Sequence, residues 1–438
     1  MSVRLLRGRV LSFRTRPESV DDRAAYVFEE DGGVLIRDGR IAAVGGFSSL
    51  SREAPEAAVV DHRPHLILPG FIDAHVHVPQ MQVIASYGAE LLDWLNTYTF
   101  PEETKFRDTQ HGRRIARLFL DEMVRQGTTT VAAYCSVHPD SADAFFAEAL
   151  DRDMLVIAGK VMMDRNAPDG LTDTPQSGYD DTKTLIKRWH GRGRLGYAIT
   201  PRFAITSSPE QMEMAGQLAR EYPQLHMQTH LSENAAEIAF TQELYPWSKD
   251  YTDVYAHYGL LGEKALFGHC IHLSEREADA LSDSGSVAVF CPTSNLFLGS
   301  GLFDWQRFSK RERPLRIAAA TDVGGGTSYS MLRTMDEAYK VIALQGEKIN
   351  PLASFWQVTR GNAEALSIAD RVGTLDPGTD ADLVVLDARA TPAMALRMET
   401  VESLAQELFL LQTLGDDRAV RQTYVAGRPM KPAAAGKE

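Results

Sequence analysis

Between residues 65 and 325 the chain alternates short apolar segments with helix-length stretches eight times, and no other feature constrains its fold as much. The strand-like segments cover residues 65–72, 128–134, 154–162, 195–200, 225–230, 265–269, 287–291 and 316–321. Stretches such as 109–126, 141–152 and 209–222 carry apolar residues at helical spacing between them. Alternation of this kind builds a parallel sheet, because each parallel pair needs a crossover connection. A closed (β/α)8 barrel and a doubly wound open sheet both satisfy it. The barrel is the better reading, because polar residues close strands one, five, six and eight, and a barrel gathers those ends around one mouth.

The first of these polar ends is Asp73-Ala74-His75-Val76-His77, after the apolar run Leu66-Ile67-Leu68-Pro69-Gly70-Phe71-Ile72. Residues two apart on a strand share a face, so His75 and His77 can offer two imidazoles to one ion. Such a pair is often accidental when it stands alone. Here Gln228-Thr229-His230 leads into Leu231-Ser232-Glu233, then Phe267-Gly268-His269 and Ala320-Thr321-Asp322 close later strands. Histidines and a carboxylate suit zinc or iron, and a catalytic site keeps one position open for water.

Residues 1–64 and 370–438 read differently, as short β runs around turn signals such as Asp38-Gly39. Neither end can bury a sheet alone, so 1–64 and 370–438 are expected to form one β-sandwich beside a barrel spanning 65–369. The tail from residue 430 to 438 reads as disordered. A net charge of −13 argues against nucleic acid or an anionic membrane as partner. No run approaches the roughly 18 apolar residues of a membrane span. Only three cysteines occur (Cys135, Cys270 and Cys291), so no disulfide framework is implied and a cytoplasmic setting fits.

Taken in order, the His-x-His strand, the later His, His and Asp strand ends and the closing Leu375-Asp376-Pro377-Gly378-Thr379-Asp380-Ala381-Asp382-Leu383-Val384 resemble the amidohydrolase superfamily over nearly the whole chain. Within it, His75-Val76-His77-Val78-Pro79-Gln80, the stretch from Leu91 to Glu103 and Pro201-Arg202-Phe203 are similar to the guanine deaminase family. The resemblance implies hydrolytic deamination of guanine to xanthine and ammonia by a metal-activated hydroxide attacking C2. It assigns one zinc or iron ion to His75, His77, His230 and Asp322. Glu233 and Asp322 would shuttle protons, and His269 would orient the hydroxide. Gln80, Arg202 and Phe203 would bind guanine together with Glu233 and His269. Trp94 and Phe100 read as core aromatics before ring contacts. A homodimer is also implied. The bridging lysine of binuclear relatives is missing from the end of strand four, Ala198-Ile199-Thr200-Pro201-Arg202, so a single metal is expected. A mononuclear relative acting on another ring, and a scaffolding relative without metal, are the competing readings.

Overall fold

A computed structural model describes residues 3–87 and 90–431. Eight parallel strands form the barrel in chain order: Phe71–His77, Thr128–Tyr134, Leu155–Gly159, Leu195–Pro201, His226–Leu231, Ala265–His269, Val287–Phe290 and Arg316–Ala319. The last meets the first through the chain that follows it. The Asp322 amide donates to the His75 carbonyl at 2.9 Å, and the His77 amide donates to the Val323 carbonyl at 3.1 Å. Thr321 adds its backbone N–H and hydroxyl to the buried Asp73 carboxylate. Those bonds hold the ends of strands one and eight side by side.

Helices cover the barrel because their sequences are amphipathic and capped. Thr109–Arg125 starts where the Asp108 side chain accepts from the Gln110 amide, and it buries Ile115, Phe119, Leu120 and Met123 against the strands. Each such side chain contributes about 1.5–3 kcal/mol when removed from water.

The first expected strand is divided in the structure. Residues 58–69 belong to a separate sheet, and the barrel strand starts at Phe71, so His75 and His77 lie within it rather than after it. Gly70 makes the crossing point, since a Cβ there would sit 2.2 Å from the Thr129 hydroxyl. The expected third strand also breaks, into Leu155–Gly159 and Val161–Met162, with Lys160 between.

Both chain ends join in one seven-stranded sheet. Its order is Arg428–Pro429, Val420–Val425, Leu383–Leu386, Ala58–Pro69, Val3–Phe13, Tyr26–Arg37 and Arg40–Gly46. Leu383–Leu386 from the C-terminal end pairs antiparallel with Ala58–Pro69. One face buries Leu6, Val10, Ile36, Ile67 and Val385. Leu11, Leu66 and Leu68 pack instead with Leu332, Phe355 and Leu408 from the helices Met331–Leu344, Pro351–Trp356 and Leu404–Leu414. Residues 432–438, most of the tail read as disordered, lie outside the described residues, and Met430 is tied back to the Thr423 carbonyl at 2.8 Å. Among the described residues no helix is long and apolar enough to cross a membrane.

Candidate active site

At the C-terminal mouth of the barrel four donor atoms crowd together. His75 Nε2 and His77 Nε2 stand 3.3 and 3.4 Å from Asp322 Oδ1, and His77 Nε2 is 3.1 Å from His230 Nε2. Donors held 2.0–2.1 Å from a tetrahedral ion are separated by about 3.3–3.4 Å, so the spacing fits one cation. The buried His75 Nε2 has no hydrogen-bond partner, as a nitrogen kept for a metal would. Burial pushes the pKa of His75 down and those of His77 and His230 well down, leaving neutral imidazoles with free lone pairs. Burial opposes ionisation of Asp322, but neighbouring His75, His269 and His230 bring its pKa down to about 2. Three neutral imidazoles and one carboxylate make a donor set that zinc or iron accepts.

Local structure aims these groups. His230 Nδ1 donates to the Arg202 carbonyl at 2.7 Å, which turns Nε2 inward. The Tyr134 ring lies 4.6 Å from the centres of both His75 and His77 and 5.0 Å from His230, and floors the cluster. Gly268, on strand six, lets the His75 ring approach, since a Cβ there would lie 2.7 Å from His75 Cε1. His269 and Asp322 both adopt left-handed backbone, with φ of 70° and 49°. Such conformations cost a non-glycine residue about 1–3 kcal/mol and gather at functional sites.

Glu233 and His269 sit beside the cluster. His269 Nε2 is 3.3 Å from Glu233 Oε2 and 3.8 Å from Asp322 Oδ2, and its Nδ1 donates to Asn295 Oδ1 at 2.9 Å. Burial pushes the Glu233 carboxyl up to about 7, partly offset by His269. Ser300 donates its hydroxyl to Glu233 Oε1 at 3.0 Å, and Glu237 accepts the Glu233 amide at 2.8 Å. The carboxyl therefore has a fixed position and exchanges protons near neutrality.

A cleft opens onto these groups. His77, His230, Glu233, His269 and Asp322 line one side. Gln80, Arg202, Phe203 and Trp94 line the rest with Leu91, Leu95 and Leu298. Arg202 and Gln80 are only 3% and 2% exposed, so their polar atoms face the cleft or each other's partners and not bulk water.

All nine residues singled out in the sequence as ligands, proton carriers or binding groups are thus brought together. His75 alone lies below the cleft rather than on its wall. Trp94 is core, as read, within a buried apolar cluster with Leu91, Leu95 and Phe203, and it also lines the cleft. Phe100 does not, and its ring instead lies under the Arg202 guanidinium at 5.5 Å. Lys160 is buried, with its ammonium paired to Asp173 Oδ2 at 2.6 Å and donating to the Val161 carbonyl at 3.0 Å. Glu103 was missed by sequence reasoning. It bridges Gln80 and Arg202, accepting from Gln80 Nε2 at 3.0 Å and from Arg202 Nη1 at 2.6 Å. Only its place at the end of the stretch beginning at Leu91 hinted at it, and a glutamate after a proline reads equally well as a helix-start residue.

A (β/α)8 barrel with histidine and aspartate donors at its strand ends defines the class of metal-dependent hydrolases. Comparison with known proteins agrees. The amidohydrolase family model matches residues 66–430, and a model of the bacterial imidazolonepropionase-like composite domain matches residues 32–57. The chain is 47% identical to the guanine deaminase of Escherichia coli (strain K12), over 94% of this chain and 93% of that protein. Among solved structures, the guanine deaminase of Bradyrhizobium japonicum superposes with a TM-score of 0.95 at 37% identity, covering 98% of this chain and 99% of that one. That of C. acetobutylicum, with guanine bound in its active site, gives 0.88 at 29% identity, covering 98% and 100%. The chain belongs to the amidohydrolase family, among its guanine deaminases.

Proposed function

We propose that this chain deaminates guanine hydrolytically to xanthine and ammonia, with His75, His77, His230 and Asp322 holding one zinc or iron ion. The observation that carries the reading is a single cleft joining three features. They are four metal-type donors with spacings of 3.3, 3.4 and 3.1 Å between His75 and Asp322, His77 and Asp322, and His77 and His230, a buried Glu233 with its carboxyl at about 7, and a buried polar wall of Gln80 and Arg202. The guanine deaminases at 47% and 37% identity support it.

A divalent cation among those donors supplies Lewis acidity that lowers the pKa of a water toward about 7. The protein residues do the rest. Water adds its oxygen at C2, and electron density moves onto N3 of the ring. Glu233 donates a proton to N3, and near its pKa both its forms are populated for a donor that must later accept. Asp322 takes the proton that the water gives up. His269, its Nδ1 committed to Asn295, turns Nε2 toward the adding oxygen and steadies the tetrahedral adduct. Glu233, now ionised, takes the proton of the hydroxyl added at C2 and delivers it to the C2 amine; the C2 carbonyl forms as the C–N bond breaks and ammonia leaves, and the proton held by Asp322 returns to Glu233. Phe203, Gln80 and Arg202 hold the ring while this happens.

The three cysteines are free and buried, which suits a reducing cytosol. Family resemblance supports a homodimer, which light scattering would read as twice the mass of the 438-residue chain. The reaction is tested by incubating the metal-loaded protein with guanine and following xanthine absorbance and ammonia together. One ammonia per xanthine is expected, and no turnover under saturating zinc or iron would overturn the reading.

A further inference from the structure

We infer that Glu103 is a positioning residue that sets the hydrogen-bond polarity of the substrate-reading wall. The inference rests on the reading of this cleft as a guanine site.

Glu103 is 1% exposed and stands behind Gln80 and Arg202 without lining the cleft itself. Its two oxygens are divided between the two wall residues, Oε1 to Gln80 Nε2 at 3.0 Å and Oε2 to Arg202 Nη1 at 2.6 Å. A carboxylate can only accept hydrogen bonds. The amide group that Gln80 turns toward Glu103 must therefore be its NH2, one N–H of which is spent there, and this fixes the carbonyl oxygen, an acceptor, on the opposite edge of the amide. Arg202 spends one nitrogen on Glu103, and its other N–H groups are left to donate. The Phe100 ring under the guanidinium at 5.5 Å fixes its plane. The Ser136 hydroxyl, donating to the Glu103 carbonyl at 3.2 Å, ties the backbone behind it to the second barrel strand.

The wall thus offers an acceptor beside donors. Its complement is a lactam edge, an N–H next to a C=O, which guanine carries at N1 and O6. Adenine carries the reverse, a ring nitrogen acceptor next to an amine. 2-Aminopurine keeps the C2 amine but has no oxygen at C6. A free glutamine could turn its amide to suit either type of edge. Glu103 removes that freedom, so selectivity for the lactam would come from a residue that never touches the substrate.

The test is Glu103→Gln in the metal-loaded, full-length protein, with guanine and 2-aminopurine as alternative substrates. An amide at 103 directs its oxygen to the Arg202 charge and its NH2 to Gln80, which must then reverse. Guanine kcat/KM is expected to fall about tenfold or more, mainly through KM, because a buried polar group mismatched to its ligand is costly. The guanine to 2-aminopurine ratio should fall by a similar factor. Glu103→Asp keeps an acceptor-only group and should hold the ratio within about threefold of the parent. A merely structural Glu103 would lower thermal midpoint and both substrates together, and an unchanged ratio in Glu103→Gln would overturn the inference.

If Glu103→Gln does not fold, the parent enzyme reads the same polarity. Hypoxanthine, with the lactam edge, should inhibit at least about tenfold more tightly than adenine. Equal inhibition would overturn the inference. A parent enzyme that does not deaminate guanine would instead sink the functional reading. A parent that does so with an unmoved ratio sinks only the role of Glu103.

Discussion

In the proposed mechanism Glu233 carries the proton traffic, and its substitution separates chemistry from binding. Glu233→Gln keeps the shape and the Ser300 contact but cannot exchange protons. It is expected to retain metal and near-normal KM for guanine while kcat falls about 10²–10⁴-fold. Near-parental turnover by stopped assay would move the relay to another group, with Asp322 first. Arg202→Ala acts twice, because the guanidinium both lines the cleft and neutralises buried Glu103. Leaving one partner of a buried pair uncompensated costs about 3–5 kcal/mol, so the thermal midpoint should drop along with discrimination for guanine. A lowered midpoint with an unchanged ratio of guanine to 2-aminopurine would confine Arg202 to the pair. Sequence reasoning reached Glu233 and Arg202 because strand ends and motifs mark them. Glu103 escaped because its significance lies in two partners, one 23 and the other 99 positions away. Spacing along a chain does not record such a contact.

At the scale of elements, the metal cluster depends on how strand six lies against strand one. Gly268→Ala would thrust a methyl to within 2.7 Å of the His75 ring. Overpacking of this kind costs about 1–3 kcal/mol and here would displace a ligand, so lower metal occupancy by elemental analysis is expected without loss of the fold by circular dichroism. Full occupancy and activity in that variant would show that the strands part freely. His77→Ala, which removes one of four donors, should lose both metal and turnover in competition with a chelator. Two tightly held metals per chain, both needed for turnover, would contradict the single donor cluster. Most barrel strands were legible to within a residue or two, since apolar runs between helical periods have few other readings. The first strand was not. Continuous apolarity from Leu66 to Ile72 hides the handover at Gly70 from one sheet to the other, because the end of the first strand, from Leu66 to Pro69, and all of Phe71–His77 are buried. The stretch from Leu91 to Glu103 was known by its motif only; its helical turns, widened between Leu95 and Thr99, place Trp94 and Leu95 at the cleft.

Across the whole molecule, the chain ends are bound to the barrel as well as to each other. Arg194, at the start of the fourth barrel strand, reaches Asp380 at 3.1 Å and Asp382 at 3.0 Å just before the C-terminal strand enters the sheet. Arg194→Ala leaves buried Asp382 without its cation, while Asp380 keeps Arg371 at 2.9 Å, and is expected to cost about 3–5 kcal/mol in urea unfolding, with kcat unchanged in the remaining folded protein. A loss below about 1 kcal/mol would mean that Asp382 finds another partner. The joining of the two ends was legible from their shared β character. Their strand order was not, because Ala58–Pro69 takes partners from both ends of the chain. The most direct measurement is ammonia release by the metal-loaded enzyme from guanine, adenine, cytosine, 8-oxoguanine, guanosine and an aminotriazine under one set of conditions. Guanine should lead in kcat/KM by about 100-fold or more, as expected of a site built to hydrogen-bond its substrate. Adenine, cytosine or the triazine equalling guanine would contradict a guanine-reading cleft.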